Sequence, residues 1–153
     1  MSADAAADST LLASRALVGV AARSLSAVEG DVTLGQYRAL VLLSSRGDQN
    51  VGALADALGV HPSTATRLCD RLLAKGLITR ATAPGNRREV VVTLTDEGRA
   101  IVRSVAQRRR HEIRRIVGKL DRATQRKLVA AFDAFASAAD ELPDDAWKLG
   151  WTS

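Results

Sequence analysis

Four side chains suited to reading a nucleic-acid edge, Ser63, Thr64, Thr66 and Arg67, stand together directly after a His61-Pro62 step. Hydroxyls both donate and accept, and a guanidinium fork matches guanine edges and phosphate oxygens. His61 adds an imidazole that can cap the following segment or face a phosphate. Further along, Arg87 and Arg88 follow Ala83-Pro84-Gly85-Asn86, a turn composition that puts two planar cations at a hairpin tip. Arginines so presented suit a narrow, strongly negative minor groove. The chemistry these residues share is recognition of a polyanion, with no bond made or broken.

Other chemistries find little support. His61 and His111 are 50 positions apart, and neither joins a His/Cys/Asp/Glu cluster at metal-ligand spacing, so no metal is expected. Neither histidine is arranged as a general base, and there is no glycine-rich phosphate loop. The chain is therefore expected not to be an enzyme, with no catalytic residues and no cofactor. Cys69 lies four residues after Ala65 and three before Leu72, on the inward stripe of a helix, so a buried, inert thiol is expected rather than a redox switch. A single cysteine allows no intramolecular disulfide, which is compatible with a reducing cytoplasm.

Charge distribution agrees with the polyanion reading. The net charge of +5 is uneven: residues 59–92 carry +4 and residues 99–119 carry +7, while the segments before, between and after them are each −2. Positive charge is thus concentrated in the middle of the chain, on the segments that hold the candidate residues. The first residues carry Asp4 and Asp8, and Arg15 and Arg23 interrupt the apolar stretch that follows. That pattern predicts neither a secretory signal nor a membrane span.

The elements that must position these residues follow from periodicity and caps. At 153 residues and 46% hydrophobic, with only 3% aromatic, the chain predicts a mainly helical core built from Ala, Leu and Val. Residues 1–9 are expected to fray. Leu11, Leu12, Val18, Ala21, Leu25 and Val28 recur at helical spacing and predict a first helix, broken at Gly30-Asp31. Thr33 and Gln36 form a capping-box pair that opens a second helix ending at Gly47. Asn50 caps a short third helix that Gly59 stops, and Pro62 starts a fourth that runs to Lys75 before Gly76. Residues 77–80 and 90–94 read as strands around a turn at 83–86. Thr95 caps a long fifth helix reaching Gly118. Its apolar stripe of Ile101, Val102 and Val105 lapses over residues 107–112 and resumes at Ile113, Ile116 and Val117. Asp121 caps a sixth helix with Leu128, Ala131, Phe132, Phe135 and Ala139 on one face. The expected fold is thus mainly α, six helices with a small β-hairpin wing. A short helix, a brief turn after glycine, and a second helix form a helix-turn-helix unit whose second helix can enter a major groove.

The stretch VGALADALGVHPSTATRLCDRLLAKGLITRATAPGNRREVVVTLTDEGRAIV resembles the MarR family of winged helix-turn-helix regulators. The likeness lies in the helix-turn-helix, the RLLAKGLI helix end and the VTLTDEG wing closure, and extends over nearly the whole chain. It implies a homodimer in which residues 10–32 and 119–153 form the dimerisation lobe. Residues 33–98 would form the DNA-binding lobe and 99–118 the linking helix. It also implies a cytoplasmic repressor on a pseudo-palindromic double-stranded operator, released by a small anionic or aromatic ligand. On that likeness Ser63, Thr64, Thr66 and Arg67 are recognition-helix contacts, Arg88 enters the minor groove and Arg87 meets a phosphate. Tyr37 and Arg38 would line the ligand pocket. Two departures stand out: Ala83-Pro84-Gly85-Asn86 replaces the family's Asp-Pro-x-Asp, which leaves Arg88 without acidic partners, and His61 replaces the usual Ser, Thr or Asp cap. Arg108-Arg109-Arg110 with Arg114-Arg115 could track phosphates, form a solvated face or line an anion site. Trp147 and Trp151 could dock on the dimer lobe or meet a partner. The rival functions are a non-specific nucleoid-type DNA binder and a winged protein-interaction module.

Overall fold

The computed structural model describes residues 2–28 and 31–141. Gly30, Pro143, Trp147 and Trp151 lie outside them. Element order is α1 (Ala3–Ser26), α2 (Leu34–Arg46), β1 (Gln49–Asn50), α3 (Val51–Leu58), α4 (Pro62–Ala74), β2 (Ile78–Ala83), β3 (Asn86–Leu94), α5 (Asp96–Val117) and α6 (Arg122–Ala138). The mainly helical fold with a hairpin wing is as expected from the sequence, and so are the caps at Thr33, Asn50, His61, Thr95 and Asp121.

Three features differ from expectation. The N-terminal segment does not fray: α1 begins at Ala3, with Ser2 Oγ accepting the Ala5 amide and Asp4 at the positive end of the helix dipole. An alanine-rich first turn needs little else. Leu11, Leu12 and Val18 are largely exposed, and Val20 and Ser24 are the buried residues of α1. The sheet has three strands in the order β1-β3-β2, because the chain before Asn50 pairs with Val91 and Val92. Two residues are too few for a periodicity signal. The hairpin is also longer than expected. Pro84 holds φ negative at the first central position and Gly85 sits at φ 79°, the combination of a type II turn, so the strands reach inward to Ala83 and Asn86.

The core is centred on Leu40, Leu54, Leu72, Ile78, Val92 and Val102, and draws on α2, α3, α4, both long strands and the first half of α5. One close approach ties it together. A Cβ at Gly98 would stand 2.2 Å from the Leu77 carbonyl oxygen and 2.7 Å from Leu94 Cδ1, so only glycine lets α5 start directly against the entry to β2. Thr95 closes the same junction. Its hydroxyl donates to the Gly76 carbonyl (2.8 Å) and accepts the Gly98 amide (3.1 Å), and its own amide donates to the Leu77 carbonyl (3.1 Å).

Outside this core, α1 packs along α5, and Arg23 pairs with Glu112 through Nε at 2.8 Å and through Nη2. By length and a mean hydropathy of 1.2, α1 is a helix that could cross a membrane; here it lies on α5 instead. α6 buries no residue and touches the other described elements only slightly, through Gln125 Nε2, which donates to the Val117 carbonyl of α5 at 3.2 Å; just beyond the helix, Arg46 Nη2 donates to the Asp140 carbonyl at 3.3 Å. Val129, Phe132 and Phe135 on it are exposed.

Gly98→Ala is expected to lose about 3 kcal/mol of unfolding free energy, because the backbone carbonyl it meets cannot step aside as a flexible side chain would. Gly52→Ala, whose Cβ would meet only Asn50 Oδ1 at 3.4 Å, is expected to stay within about 0.5 kcal/mol. Urea titration at fixed protein concentration checks both.

Candidate nucleic-acid interface

Gly59, Val60 and His61 join α3 to α4. The turn is closed by the Gly59 amide on the Asp56 carbonyl (3.1 Å) and the Val60 amide on the Ala55 carbonyl (3.0 Å), with Gly59 left-handed at φ 66°. Ala65, Cys69 and Leu72 bury one face of α4 against the core. That forces Ser63, Thr66 and Arg67 outward into solvent, with Thr64 half-buried between the faces.

The first turn of α4 is internally wired. His61 Nδ1 accepts the Ser63 amide at 3.2 Å and lies 2.8 Å from Ser63 Oγ. Accepting an amide proton requires a bare Nδ1, so the Ser63 hydroxyl also donates to it and Nε2 carries the imidazole proton. The Thr66 hydroxyl donates to the Pro62 carbonyl at 3.0 Å. Both hydroxyl protons are therefore taken up within the turn, which leaves Ser63 and Thr66 to face outward as acceptors and Arg67 as the strong donor. His61 thus fills the capping place that a serine or aspartate would otherwise take.

Arg87 and Arg88 are exposed on β3, and the Arg88 amide donates to Asn86 Oδ1 at 3.1 Å. Asn86 thus supplies part of what an acidic wing would, but to the backbone of Arg88. Among the described residues no ion pair engages Arg67, Arg87 or Arg88. A cleft of about 490 Å³ separates the wing from the helix-turn-helix and is lined by Asn50, Thr66, Arg80, Asn86, Arg88 and Glu89. The fold thus brings Thr66 and Arg88, 22 positions apart in the chain, to one cleft.

Arg80, Asn50 and Glu89 are not among the candidate binding residues read from the sequence. Arg80 Nη1 donates to Asp70 Oδ1 at 2.7 Å, which ties β2 to the outer side of α4. With 33% and 53% of the two side chains exposed, this pair orients more than it stabilises. The available signal was period two: Arg80 falls two residues after the buried Ile78, so a charge sits on the strand face that turns toward α4. Asn50 carried a cap signature that concealed its second role, and Glu89 carried none.

Tyr37 is 5% exposed and belongs to the core, whereas Arg38 points to solvent. Adjacent helical positions diverge by about 100°, so the two side chains leave α2 in different directions. A second cleft, of about 410 Å³, lies between α1 and α5 and takes in Arg23, Ser24, Gln107, Arg108, His111 and Arg115. The arginine run of α5 is therefore divided, with Arg108 and Arg115 on this cleft and Arg114 exposed. Cys69 is fully buried. Burial pushes its thiol up, Arg80 acts against that shift and Asp70 adds to it, so the thiol stays protonated at neutral pH.

A helix-turn-helix with a three-residue turn, followed directly by a β-hairpin beside its second helix, defines the winged helix-turn-helix class of DNA-binding proteins. The sequence profile of the MarR family matches residues 32–90. An uncharacterised HTH-type transcriptional regulator of Mycobacterium bovis is 30% identical over 112 residues, covering 73% of this chain and 78% of that protein. The crystal structure of RV1404 from Mycobacterium tuberculosis superposes with a TM-score of 0.85 at 44% identity, covering 94% of this chain and 97% of that one. The fold is shared with Bordetella bronchiseptica BpsR, whose DNA binding is regulated by 6-hydroxynicotinic acid, at a TM-score of 0.63 and 22% identity over 85% of this chain and 91% of BpsR. This chain belongs to the MarR family of HTH-type transcriptional regulators. Its family is one of regulators and not of enzymes.

Cys69 is expected to react with an aromatic disulfide reagent only as fast as the protein unfolds, and immediately in denaturant. Rapid stoichiometric labelling of the native protein would show that α4 leaves its inner face open.

Proposed function

We propose that this chain represses transcription as a homodimer on a pseudo-palindromic operator. The observation that carries the reading is that Thr66 of α4 and Arg88 of the wing share one cleft, while their exposed chain neighbours Arg67 and Arg87, like Arg88, enter no ion pair among the described residues. Arg67 with Ser63, Thr64 and Thr66 reads base edges in the major groove. Arg88 enters the adjacent minor groove, Arg87 meets a phosphate, and His61 stands where the backbone passes the start of α4.

The dimer rests on exposed apolar surface. Leu11, Leu12 and Val18 on α1 and Val129, Phe132 and Phe135 on α6 lie open to water. A 17-residue helix that buries nothing is marginal alone, and a second copy supplies the missing partner. The dimerisation lobe takes in 10–32 and 119–153, the lobe of residues 33–98 meets DNA through α4 and the wing, and residues 99–118 of the long helix link the two. Two recognition helices then reach half-sites about one helical turn apart.

The α1–α5 cleft, where Arg108, His111 and Arg115 stand beside the Arg23–Glu112 pair, suits a small anionic effector at the junction of the two lobes. Regulation of BpsR by 6-hydroxynicotinic acid supports the idea that a small carboxylate can act on this fold. Such a ligand releases DNA only in so far as it binds one lobe spacing more tightly than another.

Fluorescence anisotropy with the DNA upstream of the chain's own gene, beside scrambled DNA and across a salt series, tests the reading. Arg67→Ala is expected to lose about 1–3 kcal/mol of specific binding, and Arg88→Ala a smaller amount with relaxed preference beside the half-sites. Equal affinity for both DNAs, falling steeply with salt, would instead indicate a non-specific binder. No binding at low salt would indicate an interaction module. Sedimentation tests the dimer separately: the wild type is expected to run as a dimer and Phe132→Asp/Phe135→Asp as a monomer with lost operator affinity.

A further inference from the structure

The strand ladder does not hold the part of the wing that carries its arginines. β3 pairs with β2 as far as Thr82 opposite Val90, and the next pair is Ala83 opposite Asn86. Arg87, Arg88 and Glu89 fall between those pairs, with no β2 residue across from them. The turn supplies the cause. Hairpins close smoothly on turns with positive φ at the first central position, which Pro84 cannot adopt, so the ladder takes up the mismatch as a bulge.

Two side chains hold the bulged segment. Asn86 Oδ1 accepts the Arg88 amide, and Asn50 Nδ2 donates to Glu89 Oε1 at 3.0 Å. The same Asn50 caps α3, where its Oδ1 accepts the Ala53 amide at 2.6 Å. The amide orientation is fixed by chemistry, since an N–H on one side and a carboxylate on the other admit one assignment. One residue thus grips the helix-turn-helix with one end and the wing with the other. Register brings them within reach: Asn50 pairs with Val91, and Glu89 occupies the diagonal position two residues earlier on the same strand face. Both residues are half-buried, which strengthens the bond relative to one in open water.

A carboxylate is an unexpected occupant of this cleft. Arg80 and Arg88 line it beside Glu89, and a negative charge there opposes an approaching phosphate backbone. We propose that Glu89 is a specificity-determining positioning residue whose hydrogen bond to Asn50 fixes the wing against the recognition helix and so aims Arg88 at the minor groove. The proposal rests on the DNA-binding function above. It makes readout beside the half-sites depend on a bond that itself touches no DNA.

Three variants separate the bond from the charge. Glu89→Gln and Glu89→Ala both remove the charge, and only glutamine keeps an acceptor for Asn50. Asn50→Ser keeps a good cap for α3 but cannot reach Glu89. The first readout needs no DNA: amide order parameters of residues 86–89 by ¹⁵N relaxation. The wild type and Glu89→Gln are expected to be near the rigid value of about 0.85, and Glu89→Ala and Asn50→Ser to fall below about 0.6. The second readout uses a duplex enriched from a randomised library by the wild-type protein, with its flanks then rewritten as A·T or G·C. The wild type and Glu89→Gln are expected to prefer A·T flanks by roughly five- to tenfold. Glu89→Ala and Asn50→Ser should approach no preference, while keeping the full penalty for altered major-groove bases in the half-site. The proposal is overturned by an unchanged flank preference in Glu89→Ala, or by Glu89→Gln behaving like Glu89→Ala, since charge and not the bond would then matter. Joint loss of flank and half-site discrimination with a lowered Tm would also overturn it, as general unfolding. A wild type that enriches no duplex would defeat the DNA-binding function instead, and the order parameters would still decide whether the tether exists.

Discussion

The contact on which the rest depends is the junction of Gly98 with Leu77. A helix begins there within the distance a methyl group would occupy, directly against a strand's first carbonyl. Around it meet the end of α4, the start of β2, the end of β3 and the start of α5, stitched by the three hydrogen bonds of Thr95. The recognition helix, the wing and the long α5 therefore share one anchor. This is the physical content of the KGLI and LTDEG runs: glycine after α4 to turn the chain, apolar residues to bury it, threonine to cap α5 and glycine to let it approach.

Within that unit the two reading elements are held differently. α4 is fixed by a buried face and a self-contained first turn, so its outward side chains start from an ordered backbone and lose little freedom on binding. The wing is fixed at its base by β1 and by the Asp70–Arg80 pair, while its arginine-bearing segment bulges out of the ladder. The proposed major-groove contacts would thus be preset by packing. The proposed minor-groove contacts would depend on a few hydrogen bonds to a bulge.

The far end of the molecule has the opposite character. α5 leaves the core after Val105, and beyond it α1 and α6 display leucines, valines and phenylalanines to solvent. A soluble chain rarely leaves so much apolar helix uncovered. The proposed second copy would cover it, and would place the arginine-lined α1–α5 cleft where two lobes meet.

The sequence by itself determined the helices, their caps and the hairpin, because these depend on neighbours within a few residues. Thr33 with Gln36, Asn50 before Val51, Pro62 at the first position of α4 and Thr95 before Asp96 could all be read without tertiary knowledge. Alternation of buried and outward positions on α4 likewise marked Ser63, Thr66 and Arg67 as exposed and Cys69 as buried. Local rules failed where the outcome depended on distant partners. The apolar stripe on α1 promised burial, yet among the described residues Leu11, Leu12 and Val18 stay largely exposed. Tyr37 and Arg38 are neighbours in sequence, and only the tyrosine enters the core. β1 exists only because β3 passes beside it, and the reach from Asn50 to Glu89 spans 39 positions that only the sheet brings together. Periodicity and capping act through backbone geometry that any short segment carries within itself. Which exposed groups come to share a cleft is set by strand register and helix packing, and those belong to the whole chain.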